Sequence, residues 1–213
     1  MSYILNPIAV DLKKVVEVFG SKNKRLIATL IKNFEDEFDQ IDEMAAEMLE
    51  NEDEDEDEDE DGDGKEATTV RDAITQMVMG QKYDDRVGFV YGYALEFICR
   101  HFGEGLSNDS WSSMRSEWAR KADKALKSVG VAEKTLRVSQ LMNRGAPVPL
   151  PMIEDFPGIG YMTLKEIEMA VAEFTEEKLD AVKDDEVREA LSELRFWLWS
   201  CEDSKKDLIC FYA

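Results

Sequence analysis

One stretch, Pro147 to Glu166, limits what the rest of this chain can form. It holds four of the five prolines together with Gly158 and Gly160. Proline lacks a backbone N–H and fixes φ, so neither a helix interior nor a central strand tolerates such a run. The segment is expected to stay irregular until Thr163. Thr163-Leu-Lys-Glu166 then has the spacing of a capping box, in which the threonine hydroxyl accepts a free first-turn N–H and the glutamate reaches back to the cap. The stretch reads as an architectural joint that launches the C-terminal helices.

The 213 residues are enough for one domain with a sizeable core. A single domain, 1–213, is expected, with a disordered acidic insert at about 50–66. The net charge of -21 is local: twenty acids and one base, Lys65, lie between Glu35 and Glu66, so that window carries -19 and the remainder only -2. Nothing resembles a basic patch for nucleic acid. Cys99, Cys201 and Cys210 have no C-x-x-C spacing and read as reduced thiols in apolar patterns. No apolar run reaches the length of a membrane span, and the N-terminus lacks the charged start of a signal peptide. A cytoplasmic protein without a membrane or nucleic-acid partner is the expectation.

Residues 2–9 read as a short strand, placed at an edge by Pro7. Asp11 caps a helix that Gly20 stops. Leu26, Ile27, Leu30, Ile31, Phe34, Phe38 and Ile41 recur every three or four residues, the stripe of one amphipathic helix. Thr69 caps a further helix ending at Gly80, and the most apolar helix, from about Arg86 to Phe102, is expected at the core. In it Gly88 and Gly92 permit close backbone approach. A helix from Ser110 or Ser112 would place Trp111 and Trp118 on one stripe. Residues 135–142 fit a strand or a short helix, and a strand is favoured. Helices follow from Leu164 and from Asp184, and Asp207–Tyr212 reads as a strand pairing with the N-terminal one or with 135–142. The fold class is α+β, predominantly helical, with a small sheet built from the N-terminal strand, the strand near 135–142 and the C-terminal strand.

Ten consecutive acids, Glu52 to Asp61, repel one another and bury nothing. Asp57-Glu-Asp59-Glu-Asp61-Gly62 matches the first half of an EF-hand loop, but Thr68 stands where the bidentate glutamate belongs. A solvated linker is the better reading, and no metal site is expected.

Other chemistry is sparse. Gly158-Ile-Gly160 before a helix has the look of a phosphate-cradling turn, yet lacks a third glycine and a P-loop lysine and is preceded by Glu154 and Asp155; a packed turn is favoured. His101 is the sole histidine, which excludes multi-histidine zinc sites and suits a helix C-terminus. Cys99 and His101, two apart on a helix, point to different faces and form no dyad. Glu96 and Arg100 are spaced to pair, with Tyr93 one turn before Glu96. An ordinary helix ion pair is the plain interpretation. The functional one is a ligand-binding cleft in which Tyr93, Glu96 and Arg100 face Asp155 and Tyr161. Trp197 and Trp199, two apart, cannot both point inward on a helix, so one is expected at the surface, where tryptophans favour partner interfaces.

Tyr91-Gly-Tyr-Ala-Leu-Glu96, Pro149-Leu-Pro151 and Asp155-Phe-Pro-Gly-Ile-Gly-Tyr161 together resemble a bacterial family defined as a domain of unknown function, spanning nearly the whole chain. The acidic run is a departure from it. The C-terminal third, from Gly160 to the final strand, is distantly similar to the YfbM-like proteins. The resemblance implies an α+β fold and brings no activity, cofactor or catalytic residue. The function expected is non-catalytic: a protein-interaction protein of the immunity or regulatory-inhibitor type, with another protein as partner. The alternative is a small-ligand binder or enzyme with a polar cleft near Glu96, Arg100, Asp155 and Tyr161.

Overall fold

A computed structural model describes residues 3–55, 67–112, 117–154 and 156–213. The elements in chain order are β1 (Leu5–Val10), α1 (Leu12–Val18), α2 (Lys24–Phe34), α3 (Phe38–Asp55), α4 (Val70–Met79), α5 (Gly88–Phe102), β2 (Glu104–Gly105), α6 (Trp118–Ser128), α7 (Val138–Asn143), β3 (Gly158–Met162), α8 (Leu164–Glu173), α9 (Glu176–Asp180), α10 (Asp185–Ser204) and β4 (Asp207–Tyr212). Single 3-10 turns occupy Glu35–Glu37, Asp85–Val87 and Asp109–Trp111. The class is α+β and mostly helical. The chain groups into two compact units, the first comprising Met1–Lys14, Cys99–Val148 and Pro157–Ala213, the second Val15–Ile98 and Pro149–Phe156.

The first unit is built on an antiparallel sheet in the order β2-β1-β4-β3. The last strand of the chain is thus central, and Leu208, Ile209, Cys210 and Phe211 are buried on its two faces. That continuous apolar run is what a strand covered on both sides requires. β1 pairs with β4 along its whole length, Leu5 opposite Tyr212 and Val10 opposite Asp207. Pro7 turns its missing N–H away from β4, toward the two-residue strand β2, and its carbonyl accepts from Leu106 N–H at 2.9 Å. β1 is thus not the edge strand expected from Pro7, but its outer neighbour is only the two-residue β2, and the proline's missing N–H faces that side.

The strand expected near 135–142 is not there, and the third long strand comes from elsewhere. Residues 138–143 form helix α7, because the carboxylate of Asp123 on α6 accepts the N–H groups of Val138 at 2.6 Å and Ser139 at 3.3 Å. Two free amides of the first turn are satisfied by a side chain fifteen and sixteen positions away. The strand beside β4 is β3, inside the stretch expected to be irregular. Gly160 lies opposite Cys210, and a Cβ there would stand 2.1 Å from the Gln140 carbonyl oxygen. Gly158 is as tight, 2.6 Å from the Met142 carbonyl oxygen. The glycine pair lets the backbone of α7 lie directly on β3. It is a packing device and not a phosphate-cradling turn.

Thr163 and Glu166 form the expected capping box at the start of α8. Helix α10 carries neither glycine nor proline over its twenty residues, is capped by Asp184 through the Val187 N–H, and ends at Lys205 in the left-handed conformation, φ 55°. Its buried stripe, Val187, Ala190, Leu191, Leu194, Trp197, Leu198 and Cys201, joins the main core with Trp111, Leu126, Leu141, Ile167 and Phe174. Trp111 and Trp118 do not share a helix: Trp111 is in the 3-10 turn, and α6 begins at Trp118. Their rings nevertheless meet at 6.4 Å, and Trp111 lies 5.5 Å from Trp197. The indole N–H of Trp111 donates to the Ala190 carbonyl at 3.1 Å, so the polar edge of a wholly buried ring is satisfied.

In the second unit the stripe expected on one helix is shared between α2 and α3, separated by the turn at Glu35–Glu37. Phe34 and Phe38 flank Phe97 of α5 at 5.1 and 5.3 Å. α4 has a capping box of Thr69 and Asp72, and Asp42 accepts the Val70 N–H at 2.7 Å. The expected close approach at Gly88 is present: a Cβ would meet the Met152 carbonyl oxygen at 1.9 Å. The backbone of α3 extends through Asp55, so the first acids of the run are helical. The remainder, including the EF-hand-like residues 57–62, lies outside the described residues.

Candidate functional site

Tyr93, Glu96 and Arg100 occupy successive turns of α5, the first two half-buried and Arg100 exposed. The boundary between the units falls in this helix, so Tyr93 and Glu96 belong to the second unit while Arg100 and Tyr161 belong to the first. Asp155 lies outside the described residues.

Tyr161 stands on β3 with the guanidinium of Arg144 stacked 4.3 Å from its ring centre. Arg144 donates to the Tyr161 carbonyl at 2.9 Å and to both carboxylate oxygens of Glu166 at 2.9 and 3.0 Å. Burial pushes the Glu166 carboxyl up, but the Thr163 N–H and hydroxyl and the Arg144 guanidinium outweigh it and hold the group below its ordinary value. Arg144 thus clamps the end of β3 to the first turn of α8. Sequence reasoning passed over it because its partners lie 17 and 22 residues away.

In the second unit the buried tyrosine of the Tyr-Gly-Tyr segment is Tyr91, not Tyr93. Its hydroxyl accepts the Asp84 N–H at 2.7 Å and donates to Gln76 Oε1. Asp84 in turn holds Arg86 Nε and Nη2 at 3.0 and 2.8 Å and the Thr68 hydroxyl at 3.0 Å. The Arg86 guanidinium is the main cause of an Asp84 carboxyl lowered to about 2. The network fastens the turn before α5 to α4 and buries the tyrosine's polar end with its partners in place.

Cys201 and Cys210 are poorly placed to act as nucleophiles. All three cysteines are buried and none forms a disulfide. Burial pushes Cys201 up to about 12 and Cys210 well above the ordinary thiol value, the reverse of the shift an attacking thiolate needs. His101, half-exposed near the end of α5, packs edge-on against Phe102 at 4.8 Å. Among the described residues no group of three or more His, Cys, Asp or Glu could hold a metal ion, and no helix is long and apolar enough to cross a membrane.

The surface with the most unusual chemistry is on α10. Trp197 points inward and is wholly buried, whereas Phe196 and Trp199 are 50% and 54% exposed, with ring centres 6.2 Å apart. The expectation that one tryptophan of the pair faces outward is met by Trp199. Phe196 also forms one end of an open groove of about 730 Å³ between α10, the end of α9 and the turn at Asp109–Trp111. Asp109, Asp180, Asp185, Glu189 and Glu193 line it, against the single cation Arg188. That cation is already engaged by Asp185 at 2.6 Å and the Val182 carbonyl at 3.2 Å. Glu193 shapes one wall by accepting the Ser107 hydroxyl and the N–H groups of Asp109 and Ser110 at 2.8, 3.0 and 2.9 Å. The groove is therefore acidic, with one aromatic residue, Phe196, in its lining and Trp199 next to Phe196 outside it.

No curated protein and no solved structure matches the chain. One family model does, over residues 1–213, from the first residue to the last. The chain belongs to the family described as Domain of unknown function (DUF7691).

Proposed function

We propose that the chain is a non-catalytic protein-interaction protein of the bacterial cytoplasm, of the immunity or regulatory-inhibitor type. The supporting observation is the exposed aromatic pair Phe196 and Trp199 on the solvent side of α10, whose apolar stripe is otherwise buried. α10 already commits a full stripe to the core, so the two rings contribute nothing to that packing and leave apolar surface in water. Tryptophan and other aromatic side chains are the residues that most often anchor protein interfaces. The buried, high-pKa thiols and the fully engaged Tyr91, Asp84 and Arg144 clusters favour binding over chemistry. Affinity purification from the native host tests the reading. A stoichiometric protein partner retained at physiological salt is expected; its absence at both low and physiological salt contradicts it.

A further inference from the structure

We infer that the exposed face of α10 seats an arginine-bearing basic segment of the partner, an inference that rests on the interaction reading above. Charge complementarity identifies the occupant. The groove presents five carboxylates, and its one cation is held by Asp185 and a backbone carbonyl. An acidic or neutral segment would gain nothing there, and an acidic one would be repelled. Phe196 and Trp199 select among cations. Phe196 lines the groove and its ring centre lies 6.2 Å from that of Trp199, so an arginine side chain seated in the groove and reaching past Phe196 would have aromatic surface on which to stack. The planar, weakly hydrated guanidinium combines carboxylate pairing with ring stacking better than an ammonium does. Phe196 and Trp199 lie one turn apart along α10, so they span a patch suited to more than one side chain of the incoming segment.

The probes are capped nona-arginine and nona-lysine peptides, added at physiological salt to the full chain labelled with 5-fluorotryptophan. The Trp199 fluorine resonance is assigned with a Trp199→Phe variant. Nona-arginine is expected to move that resonance saturably and to leave those of buried Trp111 and Trp197 in place. Nona-lysine is expected to act about tenfold more weakly, the scale set by losing ring stacking at two contacts. The Asp180→Asn/Glu189→Gln variant, both positions exposed, should lose about tenfold in nona-arginine affinity with an unchanged urea midpoint.

A silent Trp199 resonance while calorimetry records nona-arginine binding elsewhere on the chain overturns the assignment. So does equal response to the two peptides, or movement of the resonance with protein concentration alone, which would mark a second copy as the occupant. Each of these results leaves the interaction reading standing. Failure to recover any partner from the host would strike that reading itself.

Discussion

The carboxylate of Asp207 accepts the N–H of Leu164 at 2.8 Å through one oxygen, while its other oxygen accepts the N–H of Leu12 at 2.9 Å. Leu164 opens α8 and Leu12 opens α1, so the first residue of the central strand closes the free amides of two helices far apart in sequence. A carboxylate at a helix N-terminus is favoured both as a hydrogen-bond acceptor and by the helix dipole.

Replacing Asp207 with alanine removes both acceptors at once, and the expected loss is about 2 kcal/mol, at about 1 kcal/mol for each cap. Asp207→Asn retains one acceptor oxygen and should lose less. Urea unfolding of the three proteins gives the order directly; equal midpoints would show that water replaces the carboxylate at both sites.

Gly160→Ala places a methyl group 2.1 Å from the Gln140 carbonyl oxygen. Neither β3 nor α7 can yield without breaking the β3–β4 ladder or the cap on Asp123, so a loss of about 3 kcal/mol is expected. Gly130→Ala is the internal comparison. Its Cβ meets nothing within 4 Å, but φ is +79°, and the cost is that of the left-handed conformation, about 1 kcal/mol. Thermal or urea unfolding should rank the glycine-to-alanine variants in that order.

Asp84 gives a pH dependence with a definite sign. Its carboxyl lies at about 2 in the folded chain, against an ordinary 3.8. Between those values the unfolded chain binds the proton and the folded chain does not, so stability rises with pH across the window. The contribution is complete above about pH 4 and fades as pH falls toward 2. Asp84→Asn removes the titration, so its stability should fall less steeply than that of the wild type over this range. Urea midpoints from pH 2 to 5 make the comparison.

The cysteines provide a test of the core. With Cys201 and Cys210 buried and shifted upward, and Cys99 buried as well, a disulfide reagent at pH 8 is expected to modify none of them rapidly in the native chain. Three equivalents should react after unfolding. Fast reaction of one native thiol would place it outside the core.

Local signals in the sequence survived folding and long-range ones did not. The box at Thr163 and Glu166, the cap at Thr69 and the opposed directions of Trp197 and Trp199 depend on residues a turn or less apart, so spacing revealed them. α7 was misread as a strand because its cap, Asp123, is on another helix. β3 was missed because local proline and glycine argue against regular structure, while its pairing with β4 and its cover by α7 are tertiary. The groove on α10 was invisible for the same reason: Asp109, Asp180 and Glu189 carry no common spacing and converge only in the folded first unit. Tyr161 and Glu166 were each picked out, one as a candidate site residue and the other as a cap, but Arg144, which joins them, was not, because its contacts to both are tertiary.

The most direct measurement is quantitative affinity purification from the native host with the wild type and a Phe196→Ser/Trp199→Ala variant, compared at equal stability. Both positions are exposed, so the variant's urea midpoint should equal that of the wild type. The expected result is a stoichiometric partner with an arginine-bearing basic segment on the wild type, lost on the variant. Recovery of the same partner by both proteins would contradict the role given to this face of α10.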